Sequence, residues 1–197
     1  QSADFKSQFA FLKKPLPWFL LATIMVGNGG IFCWYSYINP IMLNEAGYTA
    51  GDMSVIMAIA GLGMVMGNMF SGKLSLYMSP VKLIVLMLLL MLISSVSMIL
   101  WASSSSFVLL IMFVGVFGLF GVSGPEQYLI IDTAKGGEIL GASGAQVAFN
   151  LGNAIGAYMG GIPLTLGYSY AYSAIPGVFL IVFGLIAIYY FERLYAK

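Results

Sequence analysis

The sequence predicts an all-α integral membrane protein, a bundle of six transmembrane helices. Three observations predict it. Of 197 residues, 60% are hydrophobic and only 8% are charged, and the apolar residues gather into six runs, each close to or above the about 20 residues a spanning helix needs. A soluble domain carries about a quarter of its residues as Asp, Glu, Lys or Arg, so an ordinary cytosolic domain and a disordered tail are excluded. A net charge of +1 excludes a nucleic-acid binder, which needs a basic face. The chain has no histidine and a single cysteine, Cys33. That composition excludes a His-based triad, His-ligated metal or haem, an internal disulfide and a Cys-cluster metal site. No cofactor and no metal are expected. The chain opens Gln1-Ser2-Ala3-Asp4 without an initiator Met and without a signal-peptide pattern, and is read as a fragment or processed product.

The spans are expected at 16–43, 51–72, 82–101, 107–131, 138–163 and 171–192, with 1–15 as a cytoplasmic linker and 16–197 as the membrane domain. The first, fourth and fifth runs exceed the minimum, so tilt or a break is expected in them. Prolines mark ends and bends: Pro15 and Pro17 open the first run, Pro40 lies near its far end, and Pro80 precedes the third. Pro163 closes the fifth run and Pro176 enters the sixth. Pro125 lies inside the fourth, where it removes a ladder bond one turn back and bends the helix. Lys6, Lys13, Lys14, Lys73, Lys82, Lys135, Arg193 and Lys197 all fall on one side of a six-helix arrangement. By the positive-inside bias both termini are cytoplasmic.

Polar side chains inside hydrocarbon are costly unless they face protein or water, so they point to sites. In the first run Asn28, Tyr35 and Asn39 share one helical face; in the fifth Gln146, Asn150 and Asn153 share another. The second run offers Asn68 and the fourth offers Glu126 and Gln127, while the third and sixth read as lipid-facing supports. Asn28 and Asn150 each lie about 12 residues, or about 18 Å, from the cytoplasmic end, near the midplane where transporter sites occur. Neutral amides there suit a sugar, another polyhydroxylated solute or an amphipathic one. The same amides equally serve helix-to-helix bonding.

Glu126 is the only carboxylate well inside a span. A charge is expensive in low dielectric, which makes it either a proton-coupling group or half of a cytoplasmic-gate ion pair with Lys73, Lys82 or Lys135. Gly152, Gly156 and Gly160, four residues apart, suit close helix packing that is either static or sliding. Gly121-Val122-Ser123-Gly124 matches an intramembrane serine-protease pattern, but no histidine exists to activate the serine, so no enzyme is expected.

The stretch Gly67-Asn68-Met69-Phe70-Ser71-Gly72-Lys73-Leu74-Ser75, with Pro80 and Lys82, resembles the basic loop between the second and third helices of a major facilitator superfamily half. Gly124-Pro125-Glu126-Gln127, Asp132-Thr133-Ala134, Gly141-Ala142 and the run from Val147 to Ala157 with Gly160-Gly161 are similar to the last helices of its drug:proton antiporter-1 group. The likeness extends to bacterial arabinose-efflux-permease-type proteins, through Gly27-Asn28-Gly29-Gly30-Ile31-Phe32-Cys33-Trp34-Tyr35-Ser36-Tyr37-Ile38. The resemblance implies that these six helices are the seventh to twelfth of twelve, that an N-terminal six-helix half is the partner, and that proton-driven efflux of a small molecule across a bacterial inner membrane proceeds by alternating access. Leu76 and Tyr77 stand where that family's loop carries an Asp and an Arg. The alternative from a different class is a self-assembling six-helix channel or scaffold pairing through its glycine faces.

Overall fold

The computed structural model describes residues 7–196, so positions 1–6 of the expected linker, with Lys6, and Lys197 lie outside the described residues. The protein is 87% helical with no strand among the described residues. Five helices are long and apolar enough to cross a membrane: the first, Pro15–Tyr35; the second, Ala50–Leu74; the third, Pro80–Trp101; the fourth, Ser105–Thr133; and the sixth, Tyr170–Tyr195. The fifth, Glu138–Thr165, has 28 residues, enough length for about 42 Å of rise, but its glycines and amides lower its apolarity. All-α membrane architecture is therefore observed, with five spans by composition rather than six.

The long first run is broken as its length required. Pro15 and Pro17 open the helix where no N–H is needed, a π-turn covers Thr23–Gly27, and regular helix resumes at Asn28–Tyr35. The ladder lapses at Ser36 and Tyr37 before continuing through Ile38–Pro40 and a second π-turn, Ile41–Glu45. The fourth helix lapses at Val122, between Ser105–Gly121 and Ser123–Thr133. Pro125 has no N–H for the Gly121 carbonyl, and the Ser123 hydroxyl donates back to the Phe120 carbonyl at 2.8 Å. Gly136 and Gly167, with φ of +84° each, make the turns that leave the fourth and fifth helices.

Neighbouring helices form the row fifth, first, sixth, third, fourth, second, and the end of the fourth also returns against the fifth. The first helix is squeezed between the fifth and the sixth. A Cβ on Gly152, Gly156 or Gly160 would overlap the Met25, Gly29 or Cys33 carbonyl respectively, and one on Gly177 would overlap that of Gly30. In lipid, where apolar burial gives little drive, such backbone contacts supply the attraction between helices. On the other side of the row, Gly63 and Gly67 meet the Phe113 and Phe117 carbonyls of the fourth helix.

Burial differs from the polarity sort of the sequence. Within this unit the second helix is the least covered, 22% of its membrane-length stretch against 44% for the third. Large residues explain it: Met87, Leu88 and Met91 of the third helix are fully buried against the fourth and sixth, whereas the second touches chiefly the fourth. Two serines of the third helix are structural. Ser95 accepts from the Trp34 indole at 3.0 Å, and Ser94 donates to the Ile111 carbonyl at 2.6 Å.

Gly156→Ala should lower unfolding stability in detergent by about 1–3 kcal/mol, the cost of overpacking. Gly61→Ala, with nothing within 4 Å of the added carbon, should stay within about 0.5 kcal/mol. Equal effects at the two sites would contradict the packing described.

Candidate functional site

Regular helix restarts after the first π-turn at Asn28, and π-turns of this kind recur at functional sites. The register turns the Asn28 side chain away from Gly29, which faces the fifth helix, and from Gly30, which faces the sixth. It meets the fourth helix one residue after Pro125. There the Asn28 amide Nδ2 donates to Glu126 Oε2 at 2.9 Å, with Asn28 1% and Glu126 3% exposed. Asn28 Oδ1 and Glu126 Oε1 have no partner. An amide and a carboxyl group thus join two helices in the buried interior while each keeps a free acceptor. Such a contact can take up one more donor, a proton on the acid or a hydroxyl of a ligand.

The charged residues considered for a gate lie elsewhere. Lys73, Lys82 and Lys135 are exposed, and the ion pair among the described residues joins Lys135, in the turn after the fourth helix, to Asp132 near that helix's end at 4.0 Å. Asp132 Oδ2 also accepts from the Tyr195 hydroxyl at 2.7 Å, tying the end of the sixth helix to the fourth. Gln127 is exposed beside the buried Glu126.

The two amide faces separate. On the first helix Asn28 is buried, Tyr35 half-buried and Asn39 exposed, because the break at Ser36 and Tyr37 shifts the helical phase between them. On the fifth helix Gln146 and Asn150 are exposed and Asn153 is half-buried. The buried stripe of that helix is Gly152, Gly156 and Gly160; at 100° per residue the amides flank it, about 60° to 120° round the axis from its centre. They make no hydrogen bond to Asn28. Both edge helices of the row, second and fifth, therefore carry polar residues on open faces, Asn68 being exposed as well.

Sequence reasoning passes over three features. Ser71 is 2% exposed with an unpartnered hydroxyl, a property no residue pattern reveals. The Trp34–Ser95 bond joins residues 61 positions apart. At the opposite end from the lysines, the Glu45 carboxylate accepts from the Tyr170 amide at 2.9 Å and the Tyr48 hydroxyl donates to the Ser105 carbonyl. Those two contacts clip the end of the first run, at Glu45, and the loop after it, at Tyr48, to the starts of the sixth and fourth helices.

The chain is 42% identical over 90% of its length to "Putative transporter AraJ" of Escherichia coli (strain K12), covering 45% of that protein. It is 29% identical over 85% of its length to "Uncharacterized MFS-type transporter YfhI" of Bacillus subtilis (strain 168), covering 42% of it. It is 26% identical over 96% of its length to "Inner membrane transport protein YdhP" of Escherichia coli (strain K12), covering 49% of it. The chain spans about half the length of the curated relatives it matches. No family model matches it, and no solved structure matches it significantly.

If the Asn28–Glu126 bond holds the first and fourth helices together, Asn28→Ala should cost about 1–3 kcal/mol by stranding the carboxyl group. In a Glu126→Leu background the same change should cost under about 0.5 kcal/mol, as a double-mutant cycle in detergent would measure. Additive losses would remove the contact from the account.

Proposed function

The chain belongs to the major facilitator superfamily, and from that premise we propose that it forms one six-helix half of a secondary transporter, the C-terminal half. A preceding half would complete the solute pathway. The homologues are named as transporters, one of them as an inner membrane transport protein, and a transporter moving a small molecule through a lipid bilayer is the function they support. The observation that carries the finer reading is the pair of open edges. The second and fifth helices end the row with little cover, and the fifth exposes Gln146 and Asn150, with Asn153 half-buried beside them. Amides held on an open face of a membrane helix are unfavourable against lipid tails and favourable against a wet cavity. On this reading the other half faces them, and the solute sits between, bonded by those amides and by Asn28 and Tyr35.

The solute class that neutral amides suit is a sugar or a small amphipathic molecule, moved outward by alternating access with both termini in the cytoplasm of a bacterium. Glu126 is the residue on which coupling rests. With Asn28 as its polar partner and an unpartnered oxygen, it resembles a proton carrier more than a gate pair, since the exposed Lys73 and Lys135 give it no counter-charge. The glycine contacts at Gly152, Gly156 and Gly160 let the first and fifth helices move as one body during rocking.

Two outcomes are expected in vesicles holding the full-length protein. Glu126→Gln abolishes proton movement coupled to solute while leaving solute exchange within about threefold, a loss of under about 0.7 kcal/mol; unchanged coupling would remove the proton role. Asn150→Cys reacts with a thiol reagent from the aqueous cavity and is protected by the transported solute. Labelling only from lipid-soluble reagents would place that face against the bilayer and overturn the arrangement.

A further inference from the structure

A cavity of about 520 Å³ opens where the second helix ends, the third begins and the fourth resumes after its break; Asn68, Ser71, Ser75, Pro80, Pro125 and Tyr128 line it. It is separate from the Asn28–Glu126 contact. On the fourth helix Gly124 and Tyr128 stand about 180° around the axis from Glu126, so the two features occupy opposite sides of that helix. The volume suits a small molecule rather than a bare ion.

Two observations give the cavity a chemistry. Ser71 lines it, is 2% exposed, and its hydroxyl lacks any partner; a buried hydroxyl without a hydrogen bond is costly and rare. The polar lining is also neutral throughout: an amide, two serine hydroxyls and a phenol, with no charged side chain. A charged ligand would enter without a counter-charge, which desolvation penalises. Hydroxyl groups match it, since each can donate to and accept from amide and hydroxyl partners. Pro80, Pro125 and the Tyr128 ring offer apolar surface for the C–H faces of such a molecule.

We propose that this cavity is a binding site for a small neutral polyol, with Ser71, Asn68 and Ser75 as its hydrogen-bonding groups and Tyr128 as its apolar wall. The site does not depend on the transport reading, because every group in it lies within this chain.

The test uses Gly72→Cys in detergent, with Gly124→Cys as a second variant should the first fail to fold; both line the cavity, have open space for an added carbon and supply none of its hydrogen-bonding groups. Cys33 is the one native cysteine and is buried, so N-ethylmaleimide reports on the introduced thiol. D-xylose, myo-inositol and sorbitol are the probes, sodium gluconate is the charged comparison, and Ser103→Cys, exposed in another loop, controls for general cosolvent effects. At four times the half-saturating concentration, at least one polyol should slow labelling about fivefold, as occupancy by 1 + [L]/Kd requires. Gluconate and the Ser103→Cys control should show no slowing, and Asn68→Ala should abolish the protection. Absence of protection by all three polyols, equal slowing by gluconate, or no labelling at either cavity position would overturn the proposal.

Discussion

Direct contact between the backbones of the first and fifth helices governs how the other elements can be placed. Gly152, Gly156 and Gly160 lie against the Met25, Gly29 and Cys33 carbonyls, one helical turn after another. No side chain fits between them, so the fifth helix has a fixed azimuth on the first. Gly177 and Gly184 of the sixth helix fix it from the other side, against Gly30 and Gly27. With two flanks of the first helix closed by glycine, its remaining flank faces the fourth helix. That flank carries Asn28. The position of the polar contact with Glu126 is in this sense a consequence of the glycine spacing on three helices.

The bundle spends its polar groups in two ways. Ser94, Ser95, Tyr37 and Thr23 are satisfied by carbonyls or an indole, as hydrocarbon surroundings demand. Asn28, Glu126 and Ser71 each keep an unpartnered atom in the interior. Native structures hold few such atoms, and they recur where a ligand, water or proton completes the set. Here Asn28 and Glu126 meet on one side of the lower segment of the fourth helix and Ser71 lines the cavity on its other side; Pro125 removes a ladder bond at the head of that segment. A segment with a weakened backbone ladder can shift relative to the upper part at less cost than an unbroken helix.

The membrane class and the family were legible in composition, run length and the loop motif around Gly72 and Lys73. The helix count was less so, because the glycines and amides that make the fifth helix useful also dilute its hydropathy. Asn28 and Glu126 were each legible as polar residues out of place, but not as partners. They are 98 residues apart, and the π-turn at Thr23–Gly27 sets a phase that ideal 3.6-residue periodicity does not contain. The same limit applies to Asn39, carried off the expected face by the break at Ser36. Ser71 reads as a small residue in a loop motif; only the packing of the second helix on the fourth makes its hydroxyl an orphan.

If the glycine contact places Asn28, the two must be energetically coupled although their side chains do not touch. The decisive measurement is a double-mutant cycle between Gly156→Ala and Asn28→Ala, read by equilibrium unfolding in detergent. Pushing the first and fifth helices apart should already weaken the bond to Glu126, so removing the amide afterwards should cost less, with a coupling above about 0.5 kcal/mol. Losses that simply add would show that the polar contact is held in place by something other than the backbone contact.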